Sequence, residues 1–189
     1  IKDEKTIVND NSIIFAGRLI WRKGIVFLLK AFEQVHYEIP DLKLKIFGEG
    51  PLRVFILHFI KKKKLEENIV CCGYVPYPDL IREIRRSYFG VLPSLFEASS
   101  LMMLEFMACK RPLIAFNLPF LKEHIKHIQN AYLTSVDEKK LALSIMELYY
   151  DKQLRERLGE NAYQHVVNYH SWSKLVNEYI RIYENLCDG

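Results

Sequence analysis

The chain contains few cysteines, and their spacing does not suit a metal site. The four cysteines are Cys71, Cys72, Cys109 and Cys187. Neighbouring residues in a strand point to opposite faces, so Cys71 and Cys72 cannot share one ion. No Cys-x-x-Cys or Cys/His spacing is present. We therefore predict reduced thiols in a cytosolic protein and no metal site.

Histidines do not supply a metal site either. Four of them lie in the second half of the chain: His124, His127, His165 and His170. The first two are three residues apart on a predicted helix, but a third ligand is not evident. We interpret all four as surface or helix-end residues.

Long apolar runs and blocks of like charge are also missing. No stretch is long enough to span a bilayer, and the opening "IKDEKTIVND" is too charged for a signal peptide. The net charge of +4 comes from basic residues that are scattered along the chain, which disfavours nucleic-acid binding. The longest basic run, residues 61–64, is interpreted as the solvated end of a helix, where cations suit the helix dipole. Because the sequence does not begin with Met, we expect a processed chain or a piece of a longer protein.

What the sequence does contain is a regular alternation of short apolar runs with amphipathic stretches. Half of the 189 residues are apolar, which is enough for a real core. Strands are predicted in "SIIFAGRL", "LKLKIF", "NIVCCGY", "YFGVLPS", "RPLIAFNLP" and "NAYLTSV". This order predicts an α/β fold, a Rossmann-like parallel sheet with helices on both faces. We expect residues 1–11 to be a connector and residues 12–189 to form one domain.

Helices are predicted between these strands. The first ends before Pro40, the second opens at Pro51, and the third is capped by Pro78 or Asp79. The apolar "LMMLEFMA" predicts a buried fourth helix, capped by Ser99 or Ser100. A further helix is predicted in "FLKEHIKHI". From residue 138 the chain is expected to be helical almost to its end, with breaks near 151 and at "NYHSW".

The chemically unusual residues collect at the carboxyl ends of the predicted strands, where ligands bind in such folds. They are Arg18 and Lys23 after the first strand, Gly48 to Gly50 after the second, Gly73 and Tyr74 after the third, residues 93–97 after the fourth, and Asn117 after the fifth. This convergence predicts one site at that edge of the sheet.

A diphosphate clamp is one interpretation of "GRLIWRKG". Arg18 and Lys23 flank one strand-to-helix turn, and Gly17 and Gly24 allow the backbone to approach a ligand closely. Two cations beside a helix N-terminus suit a diphosphate. Surface charge with two turn glycines explains the pattern equally well.

Two acids, Glu97 and Glu105, stand before and within the apolar helix. At 1.5 Å per residue they lie roughly 7–10 Å apart along the axis, which is too far to share a proton. Separate positions along an extended ligand fit this spacing. The alternatives are a salt bridge from Glu105 to Arg18 or another base, and a solvated loop acid at Glu97.

Taken together, these segments resemble a known family. Glu97, seven residues and Glu105 match the Glu-x7-Glu motif of retaining GT-B glycosyltransferases of the group 1, or family 4, type. "FAGRLIWRKG", "LKIFGEGP", "VCCGYVP", "VLPSLFE", "LEFMAC" with "RPLIAF", and "HSWSKLVNEYIRIYENL" follow the C-terminal domain of that family in order. The resemblance covers nearly the whole chain.

The resemblance implies a role for each site residue. Arg18 and Lys23, beside Gly17, would hold the diphosphate of a nucleoside diphosphate sugar and stabilise it as it leaves. Glu105 would bind the ribose, and Glu97 would contact the donor sugar near the reacting carbon. The remaining binding residues contribute to the phosphate loop or lie beside the base: Ser99, Ser100, Leu101, Tyr74 and Val75.

Two positions depart from the family pattern. Ala98, Ser99 and Ser100 replace a glycine-rich segment after the first Glu, which bears on the phosphate loop or sugar pocket. Lys110 replaces a glycine after the apolar helix. Neither departure removes a key side chain.

The resemblance implies a hexosyltransferase that needs no metal or cofactor. The acceptor would bind a missing N-terminal domain of the same protein, and the last helix would cross back towards that domain. The present domain alone would be inactive. The location implied is cytoplasmic, and peripheral association of the full-length enzyme with the cytoplasmic membrane face is also considered. The alternatives are a sugar-nucleotide epimerase and a degenerate half that binds nucleotide or a partner without chemistry.

Overall fold

Parallel pairing joins six strands into one sheet in the computed structural model, which describes residues 10–97, 100–121 and 125–187. The strand order is β3-β2-β1-β4-β5-β6. The strands are β1 Ser12–Ala16, β2 Lys43–Phe47, β3 Ile69–Gly73, β4 Phe89–Leu92, β5 Leu113–Phe116 and β6 Tyr132–Thr134. The predicted parallel α/β fold is therefore confirmed. The order reverses direction beside β1, which places the crevice for ligands at the carboxyl ends of β1 and β4.

Helices cover both faces of this sheet. They are α1 Ile25–Glu38, α2 Arg53–Lys63, α3 Tyr77–Arg86, α4 Leu101–Ala108, α5 Glu138–Tyr150, α6 Lys152–Tyr169 and α7 Trp172–Cys187. In β1, Ile13 and Phe15 pack in the core beneath α1, α2 and α5, while Ile14 and Ala16 pack in the core beneath α3 and α4. Consecutive side chains of such a strand point alternately to the helix layers on the two faces of the sheet. Both layers bury apolar side chains, so the sequence of the strand is a continuous apolar run.

Several helix boundaries differ from those predicted. Helix α2 begins at Arg53 and not at Pro51, since residues 51 and 52 form a turn. Helix α3 begins at Tyr77 after Pro76, without a side-chain cap, so neither Pro78 nor Asp79 caps it. Helix α4 is not buried all round, because Leu101 is 71% exposed.

The helix predicted in "FLKEHIKHI" is also wrong for the residues that the structure describes. Residues 119–121 form a 3-10 turn, and residues 125–127 are not helical. His127 forms an isolated bridge with Ala131, and Ile128 has a left-handed φ of 58°. Both features turn the chain into β6 and prevent a helix from continuing. His124 lies outside the described residues.

Within the described part of the chain, the helices are too short or too polar to cross a bilayer. The last helix, α7, nevertheless exposes apolar side chains at helical spacing: Trp172, Val176, Tyr179, Tyr183 and Leu186.

Lys110, where the resemblance implies a glycine, adopts a left-handed backbone conformation. Its φ is 56°, a conformation that glycine adopts without steric cost. The Lys110 ammonium lies 3.1 Å from a Glu160 carboxylate oxygen and 4.5 Å from the centre of the Tyr163 ring. These contacts with α6 offset part of the backbone strain.

Lys110→Ala is expected to be less stable than Lys110→Gly by about 1 kcal/mol. Both variants lose the contacts with Glu160 and Tyr163, but only alanine keeps the left-handed strain. Urea unfolding of the two variants and the parent measures the difference. An alanine variant as stable as the glycine variant would show that the left-handed strain does not exceed the extra conformational entropy that glycine loses on folding.

Candidate active site

The loops that follow the first four strands lie side by side at the carboxyl edge of the sheet. The amide of Gly17 donates to the Phe47 carbonyl at 3.0 Å, and the amide of Gly48 donates to the Gly73 carbonyl at 2.8 Å. The amide of Leu95 donates to the Arg22 carbonyl at 2.8 Å. These bonds bring the unusual residues of distant segments together, as the alternation of strands and helices predicts.

Gly24 lets two of these loops touch. Its φ is 67°, and a Cβ at this position would lie 1.7 Å from the Pro93 carbonyl oxygen. Residues Trp21–Lys23 form a 3-10 turn just before it. The missing side chain therefore fixes the distance between the Lys23 turn and the segment that leads to Glu97.

Lys23 and Glu97 form an ion pair in this contact. The Lys23 Nζ lies 2.5 Å from Glu97 Oε1, and the Ser94 hydroxyl donates to the same oxygen at 2.8 Å. Lys23 is 19% exposed and Glu97 is 7% exposed. The sequence analysis did not foresee the pair, because the two residues are 74 positions apart. The solvated-loop alternative for Glu97 is wrong.

Arg18 has a different environment from Lys23. It is exposed at the end of β1, and the described residues contain no ion pair to its guanidinium. Of the two cations predicted to hold a diphosphate, Arg18 is therefore the one available to an incoming anion.

The N-terminus of α4 opens onto the same edge. Ser100 is the N-cap, and its hydroxyl accepts a hydrogen bond from the Met103 amide at 3.4 Å. This confirms Ser100 as one of the two predicted capping residues. The amides at the start of a helix have no partner within the helix, so those of Leu101 and its neighbour can face an anion. Ala98 and Ser99 lie outside the described residues.

Glu105 lies on α4 and is only partly buried. Burial raises the pKa of its carboxyl group, and a hydrogen bond donated by the Tyr77 hydroxyl opposes that rise. Its Oε2 atom is buried and has no hydrogen-bond partner among the described residues. The described residues also contain no salt bridge from Glu105 to Arg18 or to another base. The carboxylate thus has one acceptor atom that the described part of the fold leaves without a donor.

Tyr77 is a site residue that the sequence analysis missed. Burial and the nearby Glu105 carboxylate raise the pKa of its hydroxyl, although part of the ring is exposed. It stands four residues after the end of β3, at the same edge of the sheet as the other unusual residues. Its position just after a predicted strand is the sequence signal that could have identified Tyr77 as a site residue.

Tyr74 and Val75 follow β3 at this edge. Tyr74 is strongly exposed, whereas Val75 packs partly against the core beneath α3 and α4. Gly73, which precedes them, has a φ of 66°, and a Cβ there would lie 2.8 Å from a carboxylate oxygen of Glu49. The chain therefore turns sharply and presents the Tyr74 side chain to solvent.

The cysteines and histidines of the described residues form no cluster that could hold a metal ion. His127 Nδ1 accepts a hydrogen bond from the Leu133 amide at 3.0 Å, and the ring packs edge-on against Tyr132. Cys71, Cys72 and Cys109 are free thiols. The prediction that the protein uses no metal stays a prediction.

Comparison with solved structures supports the same architecture. The structure of a pneumococcal O-GlcNAc transferase in complex with UDP and GlcNAc superposes with a TM-score of 0.87 at 23% identity, over 99% of this chain and 38% of that one. The isolated C-terminal domain of a glycosyl transferase group 1 family protein from Francisella tularensis superposes with a TM-score of 0.79 at 24% identity. That match covers 89% of this chain and 90% of the other.

Sequence relatives carry the comparison further. The chain is 30% identical over 176 residues to an uncharacterized glycosyltransferase of Methanocaldococcus jannaschii, a match that covers 93% of this chain and 48% of the relative. The chain spans about half the length of the first curated relatives it matches. The family model described as "Glycosyl transferases group 1" matches residues 1–165. Because this match covers most of the 189 residues, including both loops of the Lys23–Glu97 pair and the whole of α4, the chain belongs to the glycosyl transferases group 1 family.

Proposed function

We propose that this chain is the donor-binding half of a retaining glycosyltransferase. It would bind a nucleoside diphosphate sugar, from which a hexose passes to an acceptor held by an N-terminal domain of the same protein. Family membership supports the reaction class, and the share of the relatives that the chain covers supports the division into halves. The UDP and GlcNAc in the pneumococcal neighbour support the class of donor.

The observation that carries the proposal is the buried, unpartnered oxygen of Glu105. A buried polar atom without a partner costs free energy, so a hydroxyl that satisfies it stabilises the complex. We propose that a ribose hydroxyl of the donor donates to the Glu105 carboxylate. The Tyr77 hydroxyl would hold the carboxylate in place and oppose the rise of its pKa that burial causes.

The diphosphate would lie between Arg18 and the N-terminus of α4. Arg18 supplies a full charge, and the free amides of the helix supply hydrogen bonds and the positive end of the dipole. Negative charge grows on the diphosphate as the bond to the sugar breaks, so groups fixed around it lower the barrier. Tyr74 and Val75 would lie beside the base.

Lys23 and Glu97 act in this proposal as one unit. Lys23 and the Ser94 hydroxyl hold Glu97 Oε1, which fixes the carboxylate where it meets the donor sugar. The same pairing favours a second candidate, a nucleotide-binding module without chemistry, because the Lys23 ammonium is engaged by Glu97 and not directed to a diphosphate. An epimerase is distinguished from both by the products of the full-length protein. No metal or cofactor is proposed, and the proposed location is cytoplasmic.

The donor half is expected to bind nucleoside diphosphate sugars and to transfer nothing by itself. Calorimetry with UDP- and GDP-sugars tests binding. Arg18→Ala should weaken the nucleoside diphosphate about tenfold, at the low end for a charge-assisted contact because Arg18 is exposed. It should leave the weak binding of the bare nucleoside unchanged.

Arg22→Ala is the matched control for Arg18→Ala. Arg22 is an exposed arginine of the same loop, and its guanidinium lies 5.7 Å from the centre of the Phe96 ring. Its replacement should leave the affinity for nucleoside diphosphate unchanged. The proposal fails if no nucleoside diphosphate sugar binds at millimolar concentration, or if nucleoside and diphosphate lose affinity equally in Arg18→Ala.

A further inference from the structure

We propose that a cavity between the loop after α4 and the first half of α6 binds the phosphate group of a small molecule. This anion cavity encloses about 630 Å³, a volume typical of small-molecule sites. It does not include any residue assigned to donor binding, so the proposal stands independently of the donor site. Its charged lining residues are Lys110, Arg111, Lys152, Arg155, Glu156 and Glu160.

The anion cavity lies at the amino edge of the sheet, away from the candidate active site. Tyr88, which also lines the cavity, directly precedes β4, and residues 110–112 directly precede β5. The candidate active site lies at the carboxyl ends of the same strands. A strand of four residues, such as β4, separates the two edges by about 13 Å. One phosphate group therefore cannot contact both sites.

The charges that line the cavity do not balance. Each of the two acids lies close to a lysine: Glu160 is 3.1 Å from the Lys110 ammonium, and Glu156 is 3.7 Å from the Lys152 ammonium. The two arginines have no ion pair in the part of the chain that the structure describes. The cavity therefore keeps two positive charges that no carboxylate of the described fold compensates.

The first of these arginines, Arg111, is buried. It is 8% exposed, and its Nε and Nη2 atoms donate to the Arg85 carbonyl at 3.0 and 2.5 Å. Its Nη1 atom has no acceptor among the described residues. A neutral carbonyl satisfies hydrogen bonds but does not neutralise the charge, and burial lowers the pKa of Arg111 to about 10. An anion in the cavity would offset this cost of burying a cation.

The second arginine, Arg155, is held in a fixed position. Its Nη1 atom donates to the carbonyls of Leu148, at 2.7 Å, and Tyr149 at the end of α5. The guanidinium also lies 4.8 Å from the centre of the Tyr88 ring. Burial lowers the pKa of Arg155 as well. Its Nε and Nη2 atoms have no acceptor in the described ranges, so they remain for a ligand that the fold has already oriented them to meet.

Two uncompensated guanidinium groups favour a phosphate over a carboxylate. Guanidinium groups match the geometry of phosphate oxygens and bind them through paired hydrogen bonds. A phosphate monoester carries about two negative charges near neutral pH, so one group compensates both arginines, whereas one carboxylate compensates only one. The cavity is larger than a phosphate ion, which leaves room for the organic part of a small molecule.

Titration of the 189-residue chain with inorganic phosphate tests the proposal. At pH 8 and constant ionic strength, the melting temperature should rise with saturation below 50 mM phosphate, by about 3–6 °C at ten times the dissociation constant. Acetate should not produce a saturable rise. Arg111→Met and Arg155→Met should lose the saturable rise. Lys152→Glu, at an exposed position that tolerates replacement, should weaken phosphate by about fivefold even if both arginine variants fail to fold.

Two further variants serve as controls. Arg157 is an exposed arginine of α6, two residues from Arg155, so it projects to the other side of the helix. Arg157→Met should respond to phosphate like the parent. Arg18→Ala should also keep the response, because Arg18 belongs to the opposite edge of the sheet. Phosphate stabilises many proteins without binding them, so the saturable difference between parent and variants is the measurement.

Three results would overturn the proposal. The first is a parent whose melting temperature shows no saturable response up to 50 mM phosphate, or the same response to acetate. The second is an unchanged response in the folded arginine variants or, where these do not fold, in Lys152→Glu. The third is loss of the response in Arg18→Ala, which would place the bound phosphate at the candidate active site.

Discussion

Replacing Lys23 by methionine is expected to lower the free energy of unfolding by about 2 kcal/mol, because the Glu97 carboxylate then stays buried without its cation. Methionine keeps most of the side-chain volume, so loss of packing contributes little. For a domain of this size the melting temperature should fall by roughly 4–8 °C. Urea unfolding at pH 7 measures the change.

A double variant separates the ion pair from other effects of the replacement. Lys23→Met combined with Glu97→Gln should recover most of the lost stability, since the uncompensated charge is then removed. Lys30→Met is the matched control: its ammonium lies 3.8 Å from Glu138, and the side chains of Lys30 and Glu138 are 52% and 35% exposed, far more than those of Lys23 and Glu97. It should change stability by less than about 0.5 kcal/mol. A single Lys23→Met variant as stable as the parent would mean that the pair does not fix Glu97.

Replacing Glu105 by glutamine is expected to weaken binding of a nucleoside diphosphate and of its sugar conjugate by similar factors, roughly tenfold to a hundredfold. The ribose is common to both ligands, and a neutral amide is a weaker acceptor than a carboxylate. Glu97→Gln should weaken mainly the sugar nucleotide, because Glu97 is assigned to the sugar. Calorimetry with both ligands measures the two patterns, and Glu156→Gln on the distant α6 should show neither.

Glu105→Gln is expected to keep or raise the stability of the folded protein at pH 7, although it weakens nucleotide binding. Because burial raises the pKa of Glu105 above its ordinary value of 4.5, its ionised form is disfavoured in the folded state. Its contribution to stability is therefore most favourable below the unfolded pKa and is lost as the pH rises through the higher folded pKa. The glutamine variant should melt at or above the temperature of the parent at pH 7, and the gain should disappear below about pH 4.5.

Melting and affinity measured on the same samples distinguish this account from a structural one. If Glu105→Gln has a lower melting temperature than the parent at pH 7 but binds nucleotide with the same affinity, Glu105 has a stabilising partner in the fold, and the ribose assignment is wrong.

The sequence by itself determined the elements of the fold and the edge at which the unusual residues meet. Strands β1, β4 and β5 occur at continuous apolar runs, because a strand covered on both faces has no solvated side, whereas β2 alternates apolar residues with lysines. Parallel crossovers then place every strand end on one edge, so Arg18, Gly73 and Glu97 all lie at that edge. The family followed from the same ordered segments.

Only the tertiary structure decided how the charges at that edge are paired. The distance from Lys23 to Glu97 depends on the close approach of Gly24 to Pro93, which no local pattern contains. The hydrogen bond from Tyr77 and the orphaned oxygen of Glu105 likewise arise where α3 and α4 meet. Sequence periodicity reports which face of an element is buried, whereas ion pairs and unpartnered atoms depend on positions set to within about an ångström by packing.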